Sequence, residues 1–168
     1  MDIDKHINAA KSSNFGLWKL NMMLGWAIPF NKPHAIKIHA INDSELTAVI
    51  PYKRKNFNHI KGIHACGLAT SSEFASGFFL MTNLNFKVYR LIMESIQMEY
   101  HYQAKSTCYA KIELSNEWFH SQIIDPLKSN EKITITNTVN TYDSSNNHIC
   151  TATIKWQIKN WDKVKTKV

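Results

Sequence analysis

Residues 64 to 84 read His-Ala-Cys-Gly-Leu-Ala-Thr-Ser-Ser-Glu-Phe-Ala-Ser-Gly-Phe-Phe-Leu-Met-Thr-Asn-Leu. This long, weakly polar stretch has the length of a helix rather than a strand. Its small residues, Ala65, Gly67, Ala69, Ser71, Ser72, Ala75, Ser76 and Gly77, let other elements approach it closely on all sides. A helix without a polar face is enclosed by the protein, not laid on its surface. Among the 25 residues between Lys61 and Lys87, Glu73 alone is charged at neutral pH. A carboxylate held in an enclosed helix is unfavourable unless it is paired or used, and isolation raises its pKa toward the range of a general base. A Glu73 that merely faces solvent is the competing reading of the same pattern.

On either side the pattern changes. Asp4 to Trp26 repeats apolar residues at helical spacing (Phe15, Leu17, Trp18, Leu20, Met22 and Leu24), and Pro29 and Pro33 end it. A hairpin follows. Ile36, Ile38 and Ala40 share one face, Leu46, Ala48 and Ile50 the other strand's face, and Asn42-Asp43 forms the turn. Tyr52 to Gly62 is a polar loop. Beyond the central segment, alternation predicts strands through Ile96, Met98, Tyr100 and Tyr102, and through Cys108, Ala110, Ile112 and Leu114. A short helix, Asn116 to Ile124, is capped by Ser115 and stopped by Pro126. Ile133, Ile135 and Val139 then alternate with threonines, and a turn at Asp143 to Asn147 leads to Cys150, Ala152, Ile154, Trp156 and Ile158. Five or six alternating strands with one enclosed helix imply an α+β fold, an antiparallel sheet curled around that helix. With 168 residues and no linker or repeat, the chain reads as a single domain over 1–168, with 1–28 as a helical N-terminal extension.

Composition excludes several classes. No stretch is apolar enough to span a bilayer, and Met1-Asp2-Ile3-Asp4 lacks the basic start and apolar run of a signal peptide, so a cytoplasmic protein with no membrane partner is expected. The net charge of +7 is dispersed apart from Lys53-Arg54-Lys55 and the tail Lys159 to Lys167. No nucleic-acid motif accompanies it, so it reads as surface charge or as attraction for a small anion. Cys66, Cys108 and Cys150 have neither disulfide nor metal spacing, and Cys108 and Cys150 read as small core residues.

Asn58-His59-Ile60-Lys61-Gly62-Ile63-His64-Ala65-Cys66-Gly67, followed by Glu73, resembles the Asn-Pro-x-Gly-x-x-His-Gly-Gly…Asp/Glu signature of hotdog-fold acyl-CoA thioesterases of the phenylacetyl-CoA type. Asn58 stands six residues before His64 and Glu73 nine after it. Gly62, two before His64, follows the Asn-His-x-x-Gly form of one branch of that superfamily. The resemblance runs from about Leu17 to Trp156. It implies hydrolysis of an acyl-CoA or acyl-carrier thioester by a homodimer or dimer of dimers, with no metal or other cofactor. The Ala65 N–H would be the oxyanion donor at the positive end of the helix dipole. Glu73 of the partner subunit would be general base or nucleophile, and Asn58 would orient the water or hold the carbonyl. His64, Cys66, Gly67 and Ser95 are the candidate substrate contacts. Ser95 stands for the strand hydroxyl often found in relatives, and His64 reads foremost as a hydrogen-bonding residue of the turn. Ala65-Cys66 replaces the usual Gly-Gly. Cys66 is thus open to three roles (pocket lining, nucleophile, filler), and a module that binds acyl thioesters without cleaving them is the alternative function.

Overall fold

Six strands form one fully antiparallel sheet in the order β1-β2-β4-β5-β6-β3. They are β1 (Lys37–Ile41), β2 (Glu45–Ile50), β3 (Tyr89–Tyr100), β4 (Cys108–Glu113), β5 (Lys132–Asp143) and β6 (His148–Asn160). The computed structural model describes residues 3–164. Met1-Asp2 and the tail lysines Lys165 and Lys167 lie outside the described residues. The helices are α1 (Ile3–Ser12), α2 (Asn14–Ala27), α3 (Asn31–His34), α4 (Ala65–Asn83), α5 (Asn116–Phe119) and α6 (Asp125–Ser129). Helix α4 packs against β2, β3, β4, β5 and β6, so the sheet wraps it. This is the hotdog arrangement, the α+β class expected from the sequence.

The small residues of α4 decide how closely the sheet can wrap. A Cβ on Gly77 would lie 2.8 Å from Trp156 Cη2, and one on Gly67 would lie 3.0 Å from Ile50 Cδ1. The buried serines find partners, as buried hydroxyls must. Ser71 donates to Leu68 O, Ser72 lies 3.3 Å from Thr141 Oγ1, and Ser76 donates to Asn137 Oδ1 while accepting from Trp156 Nε1. Strands β4, β5 and β6 bury every second residue against this helix, Cys108 and Cys150 included, and burial pushes the Cys108 thiol up to about 12.

Four expectations are corrected. The N-terminal segment is two helices, because the Ser13 side chain accepts from Gly16 N and starts α2 anew. The fold-back brings α2 against α1 so closely that a Cβ on Gly16 would meet Ala9 O at 2.1 Å. Ala40 is exposed, since a bulge between Ile38 and Ala40 shifts the register of β1 and buries Ile41 instead. Tyr102 lies beyond β3 and is exposed. Pro126 does not stop the third helical region. A π-helical turn, His120–Ile124, lets Asp125 N reach back to His120 O, and the chain continues as α6 with Pro126 in its first turn.

The N-terminal extension covers one sheet edge. Asn21 Nδ2 donates to Ile38 O and Asn21 Oδ1 accepts from Ile38 N, both at 2.8 Å. These two bonds occupy the free side of β1 as a neighbouring strand would. At the opposite edge no strand among the described residues pairs with the free side of β3, which exposes Ile92, Met93 and Tyr100. Among the described residues no helix is long and apolar enough to cross a membrane.

Candidate active site

The start of α4 is set by the loop before it. Asn58 Oδ1 accepts from Ile60 N and Gly62 N, and Asn58 N donates to Gly62 O. Within this tight turn Lys61 takes a left-handed φ of 59°. His64 N then donates to Asn56 O, and Asn56 Nδ2 donates in turn to His34 O and Pro51 O. His64 caps the helix, its Nδ1 accepting from Cys66 N at 3.1 Å. An accepting Nδ1 carries no proton, so the neutral ring holds its proton on Nε2.

The first-turn donors are therefore not equivalent. Cys66 N is used by His64, and Gly67 N and Leu68 N go to His64 O. The Ala65 N–H has no acceptor among the described residues, and Ala65 is exposed. Its carbonyl accepts from Tyr100 Oη at 3.1 Å, which ties the end of β3 to the beginning of α4. A free N–H at the first helical position, aligned with the helix dipole, is suited to an oxyanion.

Two turns further on, Glu73 borders a cleft of about 590 Å³ between α4, β3 and the α2–α3 junction. Its apolar walls include Phe74, Phe78, Met81, Leu91, Ile96 and Trp156. Glu73 is half-buried, and burial pushes its carboxyl up from the ordinary range. It has no ion pair or hydrogen bond among the described residues, so nothing offsets that rise. A carboxyl raised in this way is more basic than an ordinary glutamate, which suits it to accept a proton.

The structure brings Glu73 and Cys66 to the same cleft. Cys66 and Gly67 also line a smaller cavity of about 220 Å³ with His64, Phe57 and His34. Gly67 serves the approach of α4 to β2. Asn58 has its carbonyl oxygen committed to the turn. Ser95 is exposed beside the bulge of β3, and the cleft is lined by Leu91, Met93 and Ile96 instead. Ala65 and Glu73 are not close within one chain: eight residues of helical rise separate them by about 12 Å. Sequence reasoning missed Ile28 and Asn31 as lining residues, and Tyr100 as the tie to Ala65. Nothing in the local pattern marks them, because they reach the site only through tertiary packing. The one available signal was Trp156, on the inward face of an alternating strand.

The family model for DUF4442, a domain of unknown function, matches residues 16–158. The chain belongs to the DUF4442 family. The match begins two residues into α2 and ends near the last residue of β6, so it spans the whole sheet and the helix it wraps. Among solved structures, this DUF4442 chain is similar to a Pseudomonas aeruginosa protein described as a probable thioesterase, at 14% identity and a TM-score of 0.74, over 83% of this chain and 93% of that one. It is also similar to a Haemophilus influenzae thioesterase at 13% identity and a TM-score of 0.68, over 94% of this chain and 99% of that one. A Chlorobaculum tepidum protein of unknown function aligns at 14% identity and a TM-score of 0.72, over 84% of this chain and 92% of that one. These likenesses establish the thioesterase-like hotdog fold of this DUF4442 member. No curated protein matches the sequence.

Proposed function

We propose that this protein hydrolyses acyl thioesters, of coenzyme A or of a carrier protein, in a site shared between two copies of the chain. The observation that carries the reading is the pairing of a free N–H at the start of α4 with an unpaired, half-buried carboxyl on the wall of an apolar cleft. The thioester carbonyl oxygen would accept from Ala65 N–H. Glu73 would take the proton of a water attacking the carbonyl carbon, or attack it directly, and the thiolate would leave. A thioester is already activated, so this chemistry calls for no metal or redox group. Among the described residues no cluster of His, Cys, Asp or Glu could hold a metal.

A helical rise of about 12 Å between the two residues in one chain supports a site whose two groups come from different copies. The open edge of β3 is the natural place for the second copy. Antiparallel pairing of two β3 strands about their middle would set Tyr100 of one opposite Tyr89 of the other, two residues from Leu91 on the cleft wall. Through the Tyr100–Ala65 hydrogen bond, Ala65 of one copy would then approach the cleft that holds Glu73 of its partner. A homodimer is the smallest complete unit on this reading, and two dimers could share one assembly.

His64 fixes the first turn and leaves Ala65 as its free donor. The Ala65-Cys66 pair leaves less room at the helix start than two glycines would. The test is a hydrolysis screen over acyl-CoA and acyl-carrier thioesters with Glu73→Gln as control. Turnover that depends on Glu73 is the expected result. Tight binding of acyl-CoA analogues without turnover would instead assign the fold to acyl binding alone.

A further inference from the structure

A second apolar surface lies outside this cleft. Helix α2 buries Leu20 and Leu24, yet its other face carries Phe15, Trp18, Met22 and Trp26 at steps of three and four residues, all exposed. Trp26 is 85% exposed and Phe15 63%. Phe15 and Trp18 stack at 5.8 Å, and Lys19 Nζ lies 4.4 Å from the centre of the Phe15 ring. A contiguous exposed apolar stripe of this kind marks an interaction surface.

The charge around it has one sign. From Lys5 to Asn42 the chain holds five lysines and no acidic residue. A groove of about 690 Å³ along the stripe is lined by Trp18, Met22, Lys32, Lys37 and Lys53, among others, and by no carboxylate among the described residues. Lys11 pairs with Asp43, whereas Lys19, Lys32, Lys37 and Lys53 form no ion pair among the described residues. A second copy seated here by a twofold axis would set these lysines against their own images. An acidic protein would satisfy the charge but would need a trough shaped for four projecting side chains. An anionic lipid surface offers both partners without one: headgroup charge for the lysines, and a soft interface where Trp, Phe and Met insert.

We propose that the α2 face docks this protein peripherally on an anionic bilayer, with Phe15, Trp18, Met22 and Trp26 inserted at headgroup depth. The expectation of no membrane partner rested on the lack of a spanning helix, and a docked helix needs none. Ile28 and Phe30 follow directly after Trp26 and line the Glu73 cleft, so a docked bilayer would lie beside its mouth. That consequence rests on the thioesterase reading, whereas the docking does not and is measured without turnover.

The experiment is flotation of the full chain with vesicles of phosphatidylglycerol and phosphatidylcholine, against phosphatidylcholine alone, with Trp18→Ser/Trp26→Ser and Lys32→Glu/Lys37→Glu variants. All four positions are solvent-facing, and circular dichroism verifies the fold. We expect binding to anionic vesicles that falls at least about tenfold in either variant and on raising salt to about 0.5 M. Failure to float with anionic vesicles, or equal binding to neutral ones, overturns the proposal. So does salt-sensitive binding of a purified acidic carrier protein without flotation, or a self-association that Trp18→Ser/Trp26→Ser abolishes, since each gives the stripe a different occupant.

Discussion

Replacing Glu73 by Gln keeps the side chain's shape and removes its charge, and the structure predicts opposite effects on activity and stability. Burial alone raises the Glu73 carboxyl, with no cation or hydrogen-bond donor beside it among the described residues. A folded-state pKa above the unfolded value means that ionisation opposes folding. The penalty is absent below the unfolded pKa of about 4.3, grows through the folded pKa, and is present in full above it. Glu73→Gln therefore stabilises the protein at about pH 8 and does nothing, or slightly destabilises, at about pH 3. For a chain of this size each kcal/mol relieved reads as roughly 2–4 °C in melting temperature. Hydrolysis should meanwhile fall by about 10²–10⁴, the usual contribution of a positioned general base. Thermal melts across pH, paired with thiol-release assays on one substrate, measure both. A variant that melts lower than wild type at about pH 8 would mean that the carboxylate has a stabilising partner, and the argument from isolation would fail.

Ala65→Pro removes only the free N–H, because proline fits the first helical position and His64 already has the extended backbone (φ −63°, ψ 137°) that precedes proline. The fold should survive, with kcat lower by about 10²–10³ and the circular dichroism unchanged. Gly16→Ala should cost about 2–3 kcal/mol in denaturant melts, since its Cβ would strike the backbone of Ala9, which cannot rotate away. Asn21→Ala should cost about 1–3 kcal/mol and increase aggregation on light scattering, because it uncovers the N–H and C=O of Ile38 at a sheet edge.

The fold was legible because α4 is composed unlike anything around it and because β4, β5 and β6 alternate cleanly. Glu73 was legible for the same reason, as a lone charge in a small-residue helix. The break at Ser13 was not, since Phe15, Trp18 and Met22 have helical spacing whether that face is buried or bare. The exposure of Ala40 depends on a bulge set by the pairing of β1 with β2, which no local pattern records. Asn58 and His64 were found by their resemblance to a family signature, but the direction of their hydrogen bonds shows that one builds the loop and the other caps the helix. Ser95 came from the resemblance alone, as the nearest hydroxyl on the next strand, and it stands exposed beside the bulge between Met93 and Ser95.

Mixing two disabled chains tests the shared site most directly. Glu73→Gln and Ala65→Pro homodimers each lack one group in every site. Subunit exchange produces mixed dimers in which one site has lost both groups and the other has lost neither. Random exchange puts half of the chains' pairs in that form, so activity should recover to about a quarter of wild type. If the mixture stays as inactive as its parents although exchange is verified by mass, the two groups do not meet across an interface, and the proposed mechanism is wrong.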